Sequence, residues 1–175
     1  MGKRSNFPRM EKDYYVTPKS AVLPLLPFLS PRTLFAEPCA GSGELIDHLV
    51  GEGHKCVWAT DVAPRRPDVA QTDARTIDEH ERFRGTTTII TNPPWTRSLM
   101  HPIIEHLSSM YRCWFLFDAD WMHTKQSSEL IKKCDTIISV GRVKWMPDTP
   151  YVGKDNCCWY RFLPGHADGP RFVGR

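Results

Sequence analysis

At 175 residues the chain can form one compact domain with a sizeable core, and is too short for two. Its hydrophobic content of 41% and charged content of 25% are ordinary globular values and exclude wholesale disorder. A formal net charge of +3 excludes nucleic-acid binding by bulk charge alone, so any basic surface has to be local.

Residues 1–12 are polar and basic and read as a mobile arm. Residues 13–163 read as a single domain and 164–175 as a short tail. No apolar run is long enough to cross a bilayer, and no apolar signal region follows Met1. The expectation is a cytoplasmic protein without membrane contact, a monomer or weak dimer. The six cysteines (Cys39, Cys56, Cys113, Cys134, Cys157 and Cys158) show no Cys-x-x-Cys spacing. Several fall in apolar stretches, where a free thiol behaves as a small hydrophobe, so reduced thiols and no metal site are expected.

Pro18 opens a helical stretch over 19–29, in which Ala21, Val22, Leu25, Leu26 and Leu29 recur at helical spacing while Pro24 and Pro27 interrupt it. Strand-like and helix-like pieces then alternate. A strand over 33–37 leads through a glycine turn into a helix carrying Leu45, Ile46, Leu49 and Val50, which stops near Gly51 or Gly53. A second strand, 56–60, ends on Asp61. The segment 63–84 is weak, with one short strand at 69–71. Residues 87–91 are β-branched and read as a buried central strand ending at Asn92. A helix over 98–111, a strand over 113–117 and a helix over 126–134 follow. Two longer strands, 136–145 and 157–163, flank a connection at 147–155. The alternation predicts a three-layer α/β fold, a doubly wound and mostly parallel sheet with a C-terminal antiparallel hairpin. Ligands of such sheets sit beyond the carboxyl ends of the strands at the switch point, where Glu37, Asp61, Asn92 and Asp118 fall.

The first strand runs into Glu37-Pro-Cys-Ala-Gly-Ser-Gly43. Gly41 and Gly43 carry no Cβ and let the backbone approach a ligand closely. A dinucleotide site would want a third glycine where Ile46 stands, to bring the helix N-terminus to a pyrophosphate. A carboxylate at Glu37 would repel phosphate but suits a cofactor with an ammonium group and a sulfonium, which points to S-adenosylmethionine. Asp61, about twenty residues after the loop, is placed to accept ribose hydroxyls. Val62 adjoins it in the same expected cofactor site, as does Cys39 within the glycine loop. Asp73 is placed for the cofactor's adenine amino group.

Asn92-Pro93-Pro94-Trp95 follows the central strand directly. An exocyclic amine is a poor nucleophile because its lone pair is delocalised into the ring. Two acceptors aimed at its hydrogens, the Asn92 side-chain oxygen and the Pro93 carbonyl, draw the nitrogen towards tetrahedral geometry, which is catalysis by positioning and electrostatics. Pro93 and Pro94 hold the backbone rigid, and Trp95 offers a face for a flipped base.

The order of these motifs resembles the amino-methylating DNA methyltransferases of the adenine-N6 type in their compact, phage-like form. Tyr15-Val-Thr-Pro18 resembles that family's N-terminal cofactor segment, and Gly141-Arg-Val-Lys-Trp-Met-Pro147, Lys154-Asp-Asn156 and Trp159-Tyr160 resemble the end of its small phage members. The resemblance implies that Thr17 and Pro18 help hold the cofactor's methionine part, that Tyr15 belongs to the same cofactor site, that the substrate is DNA, and that the protein is bacterial or phage-encoded. RNA-base and glutamine methyltransferases share the tetrad, so the substrate stays open at this point, as does a non-catalytic module that keeps the fold and binds nucleic acid or a partner. Between Trp95 and the strand at Cys113 there is room for one helix only. Loose target specificity, or recognition supplied by a protein partner, is therefore expected. Arg65, Arg66, Arg97 and Lys154 are the candidate phosphate contacts. Asp118 and Asp120 read as capping or substrate-lining residues.

Overall fold

The computed structural model describes residues 14–78, 88–146, 153 and 155–174. The basic arm, Thr87, Lys154 and most of the connection at 147–155 lie outside the described residues. Eight strands, β1 (Leu34–Glu37), β2 (Lys55–Asp61), β3 (Ala70–Gln71), β4 (Thr88–Thr91), β5 (Cys113–Asp118), β6 (Cys134–Arg142), β7 (Asn156–Phe162) and β8 (Arg171–Val173), form one sheet. Their order is β3-β2-β1-β4-β5-β7-β6-β8. The first five strands pair in parallel, β7 runs antiparallel to both β5 and β6, and β8 lies parallel to β6. The expected hairpin partner β7 is therefore inserted between β5 and β6, bonded on both sides.

Helices cover both faces. α1 (Lys19–Val22) and α2 (Glu44–Gly51) pack on one side, where Val22, Leu45, Ile46 and Leu49 meet Phe35, Ile90, Trp114 and Trp159. On the other side α3 (Arg97–Met110) and α4 (Leu130–Lys133) bring Met100, Ile103, Ile104, Leu107 and Leu130 against Ile89, Phe115, Phe117 and Tyr160. The neighbours Trp159 and Tyr160 thus serve opposite cores, as the two-residue period of a strand requires. Both have polar tips, and both are satisfied: Trp159 Nε1 donates to the Ala21 carbonyl at 2.8 Å and the Tyr160 hydroxyl donates to the Asp118 carbonyl at 3.0 Å. This is the three-layer, doubly wound fold.

Several boundaries differ from expectation. The stretch 19–29 breaks at its prolines into α1 and a one-turn 3-10 piece, Leu26–Phe28. Thr33 stays outside β1 because its hydroxyl donates to the Ser30 carbonyl at 2.6 Å, closing a turn. The helix expected over 126–134 is reduced to α4, since the Ser127 hydroxyl donates to the Thr124 carbonyl at 2.7 Å and closes a 3-10 turn (Lys125–Ser127) before it. Cys134 already belongs to β6, which ends at Arg142 rather than continuing to Trp145. The expected tail contributes β8. Among the described residues no helix is long and apolar enough to cross a membrane.

Candidate functional site

β1 is flanked by β2 on one side and β4 on the other, with Phe35 opposite Thr88 and Ala36 opposite Ile89. Glu37 therefore ends β1 level with Ile90, two residues ahead of Asn92, and both lie at the switch point. The glycine loop after Glu37 is knitted to its neighbours by backbone bonds: Ala40 N–H to the Thr60 carbonyl (2.9 Å), Gly43 N–H to Ala40 (2.7 Å) and Arg65 N–H to Gly41 (3.0 Å). Gly41 has φ +54°, and a Cβ there would lie 2.7 Å from Cε2 of Tyr14. Gly43 has φ +85°, and a Cβ there would fall against the Arg66 guanidinium, with Cζ at 2.7 Å. One glycine makes room for an aromatic ring and the other for an arginine.

Together these elements enclose a cavity of about 330 Å³. Of the expected site residues, Tyr15, Thr17, Glu37, Cys39, Gly41, Asp61, Val62, Asp73 and Asn92 line it, joined by Pro94 and Arg65. Pro18, Gly43, Pro93, Trp95, Arg66 and Arg97 stand outside its wall, and Lys154 lies outside the described residues.

The cavity floor is acidic. Glu37 is only 2% exposed, and its Oε2 has no hydrogen-bond partner. Burial first, and then the Asp61 and Glu44 carboxylates, push its pKa well above the ordinary carboxylate range, with Arg66 opposing. Asp61 carries the opposite arrangement: Oδ2 accepts the Gly41 N–H at 2.8 Å and Oδ1 accepts the Ala63 N–H at 2.7 Å, so this carboxylate pins the glycine loop to the end of β2. Asp73 is held by Arg75, whose Nη2 donates to Oδ2 at 2.6 Å and whose Nε donates to Oδ1 at 3.0 Å; that guanidinium keeps the carboxyl below its usual range. Burial pushes the Cys39 thiol up, which leaves it apolar rather than nucleophilic. Val62 is 57% exposed at the wall, an uncovered apolar side chain beside the acid.

The Asn92 carboxamide is tied at both ends. Its Nδ2 donates to Thr17 Oγ1 at 3.1 Å, and its Oδ1 accepts from Trp95 Nε1 at 3.1 Å. The Trp95 ring stands edge-on to Trp145 (centroids 5.5 Å apart, planes at 90°), and Trp145 meets Tyr15 in turn at 6.4 Å and 63°.

Tyr14 is a site residue that sequence reasoning missed in favour of Tyr15. Its hydroxyl is hydrogen-bonded to Ser42 Oγ, which also donates to Glu44 Oε2 at 2.5 Å, and the Arg65 guanidinium lies 3.6 Å over its ring. The only sequence signal is an aromatic residue close ahead of Thr17-Pro18 with a bare glycine to cover. Arg66 is occupied differently from Arg65: it pairs with Asp47 (2.8 Å) and Asp68 (2.6 Å) and donates to the Gly43 carbonyl at 3.3 Å. Arg97, at the start of α3, donates to Gln126 Oε1 at 2.6 Å. Asp118 Oδ1 accepts the Asp120 N–H at 2.9 Å and caps the 3-10 turn Ala119–His123, as expected of a capping residue.

No protein-family model matches the chain, and no curated protein matches it in sequence. Solved structures match it in shape. A protein assigned as an RNA methyltransferase from Pyrococcus horikoshii superposes with a TM-score of 0.62 at 16% identity, over 92% of each chain. The methyltransferase subunit of a type I restriction-modification system from Streptococcus thermophilus gives 0.61 at 8% identity, over 91% of this chain and 47% of that one. A Listeria monocytogenes protein assigned as a class I S-adenosylmethionine-dependent methyltransferase gives 0.55 at 12% identity, over 91% and 65%. The fold is that of the class I methyltransferases. The chain spans about half the length of the type I subunit it resembles.

Proposed function

We propose that the chain is a methyltransferase that uses S-adenosylmethionine and acts on an exocyclic amine of a nucleic-acid base, namely N6 of adenine in DNA. The observation that carries the reading is the juxtaposition of Asn92-Pro93-Pro94-Trp95, at the end of β4, with a cavity floored by the buried carboxyl of Glu37, one oxygen of which has no partner. The residues present fit a cationic cofactor. Glu37 supplies an acceptor for its ammonium group, and Asp61 retains acceptor capacity for ribose hydroxyls after taking two backbone N–H groups. The first turn of α2 carries its own Glu44 and Asp47, which favours no phosphate there. Val62 offers an apolar surface to an adenine ring, and Thr17, on the cavity wall, is the contact to the methionine part that the resemblance implies.

When bound, the cofactor supplies an electrophilic methyl group on its sulfonium. The chain's own part is orientation. Asn92 Oδ1 and the Pro93 carbonyl accept the two hydrogens of the target amine, concentrating the lone pair on nitrogen and aiming it at the cavity. Arg65, Arg97 and Lys154 are the proposed contacts to nucleic-acid phosphates; Arg66, already paired with both Asp47 and Asp68, would bring no positive charge to them. Only α3 intervenes between the tetrad and β5, which supports loose target specificity or recognition supplied by a protein partner. RNA is the second reading, supported by the Pyrococcus horikoshii neighbour that matches over the same large share of both chains.

The test is transfer of labelled methyl from S-adenosylmethionine to DNA, RNA and protein in parallel, with Asn92→Ala beside the wild type. The expected result is transfer to adenine in DNA that falls by about 100-fold or more in Asn92→Ala, the scale for removing one preorganised transition-state contact. Label on RNA alone would select the second reading. Cofactor binding without transfer to any of the three would overturn the enzymatic assignment.

A further inference from the structure

We propose that Thr17 and Trp95 form a two-sided clamp that fixes which way round the Asn92 carboxamide lies, making both of them positioning residues for amine transfer. The proposal rests on the methyltransferase reading above. The two ends of a carboxamide are nearly the same size, and a half-turn about its last torsion exchanges oxygen for nitrogen. For a target amine the two orientations are opposite in effect. Oxygen accepts an amine hydrogen, whereas the NH2 end presents hydrogens to hydrogens and repels the substrate.

The indole of Trp95 removes the ambiguity. An indole N–H donates and cannot accept, so the Asn92 atom 3.1 Å from it has to be oxygen. Nδ2 is then left facing Thr17 Oγ1, also at 3.1 Å, and the hydroxyl takes the acceptor role that only it can supply there. Thr17 itself is 5% exposed, and its bond to Asn92 is part-buried at the cavity wall. Thr17 alone would leave the orientation open, because a hydroxyl both donates and accepts; the indole decides it, and the hydroxyl adds a second bond to the orientation so chosen. The pair together admits one orientation.

The clamp leaves the reaction its acceptor. A carbonyl oxygen has two lone pairs; Trp95 occupies one, and the second remains for a substrate hydrogen. The donor is itself braced, since the Trp95 ring packs against both hydrophobic cores and stands edge-on to Trp145. A phenylalanine or tyrosine in this place keeps an aromatic face and loses the N–H. The tryptophan therefore has a role that stacking does not explain. Thr17 also lines the cofactor cavity, so one hydrogen bond between residues 75 positions apart joins the cofactor-binding segment to the catalytic loop.

The experiment uses the full chain with Trp95→Phe, Thr17→Val and Thr17→Ser. Two measurements are made on each: steady-state methyl transfer with adenine-containing DNA, and hydrogen exchange of the Trp95 indole N–H in 15N-labelled protein. Trp95→Phe and Thr17→Val are expected to lower kcat about 3- to 10-fold, the scale of one hydrogen bond, with target KM changed less than about twofold. Thr17→Ser restores the wild-type rate. The indole N–H exchanges slowly in the wild type and faster in Asn92→Ala. A Trp95→Phe enzyme with unchanged kcat, or with raised KM alone, would overturn the clamp in favour of a stacking platform. Thr17→Ser as impaired as Thr17→Val would reduce Thr17 to packing. Should the wild type transfer methyl to nothing, the enzymatic reading fails separately, and unprotected indole exchange would still refute the clamp.

Discussion

Replacing Glu37 by glutamine separates what the fold needs from what a cationic ligand needs. Glu37 is 2% exposed, one of its oxygens has no partner, and burial raises its pKa well above the carboxylate range. The folded protein without ligand therefore holds a proton that the unfolded chain has already lost. Stability drawn from this group is complete below the ordinary carboxylate pKa and is lost as pH rises towards the raised value. Relative to Glu37→Gln, the wild type should thus melt progressively lower as pH is raised from the ordinary carboxylate range towards the raised value. Binding runs the other way. A cationic group placed against Glu37 favours the carboxylate, so binding releases up to one proton, and log affinity rises with pH with a slope approaching one within that window. A hydrogen bond to a charged group contributes about 1.5–3 kcal/mol, so Glu37→Gln should weaken S-adenosylmethionine binding about 10- to 150-fold above the window and much less below it. Titration calorimetry in two buffers of different ionisation enthalpy reads the proton directly. Tight, pH-independent binding by Glu37→Gln would refute the assignment of Glu37 to the cofactor's cation.

Other parts of the site give separate expectations. Asp61→Asn turns one of two accepting oxygens into a donor facing a backbone N–H, which costs about 1–3 kcal/mol and should lower the melting temperature by roughly 2–10 °C; an unchanged melt would mean that the glycine loop is held by its backbone bonds alone. Gly43→Ala combines φ +85° with a clash on Arg66, so calorimetry should show a loss above about 1 kcal/mol that the added change Arg66→Ala only partly restores. The Arg65 guanidinium over Tyr14 contributes about 0.5–2 kcal/mol to closing the segment over Gly41, so Arg65→Ala should release S-adenosylmethionine roughly 2- to 30-fold faster in stopped flow. An unaltered off-rate would remove Tyr14 from the cover of the pocket.

The sheet was legible in the sequence wherever burial imposed a pattern. The β-branched run that became β4 and the apolar run that became β5 are buried along almost their whole length, and both were found within a residue. β8 was missed because only three residues pair on one edge, with Phe172 61% exposed and no alternation to read. The helix over 126–134 failed for a different reason: serine and threonine hydroxyls satisfied backbone groups locally and turned the chain before a regular helix could form. Within the site, residue types at strand ends were readable because their chemistry is strand-independent; Glu37, Asp61 and Asn92 needed only their order. Pairings were not. That Arg66 rather than Arg65 would meet two carboxylates, that Arg75 would take Asp73, and that Trp95 would use its N–H as well as its face depend on side-chain directions that no spacing encodes.

The pairing of β1 with β4 bears on how such a protein changes over time. Because Phe35 lies opposite Thr88 and Ala36 opposite Ile89, the separation of Glu37 from Asn92 is set by backbone register rather than by any loop. Chain outside these two strands can then vary without changing that register. The spacing of these two strand ends is thus inherited as part of the sheet, whatever happens to the chain around it.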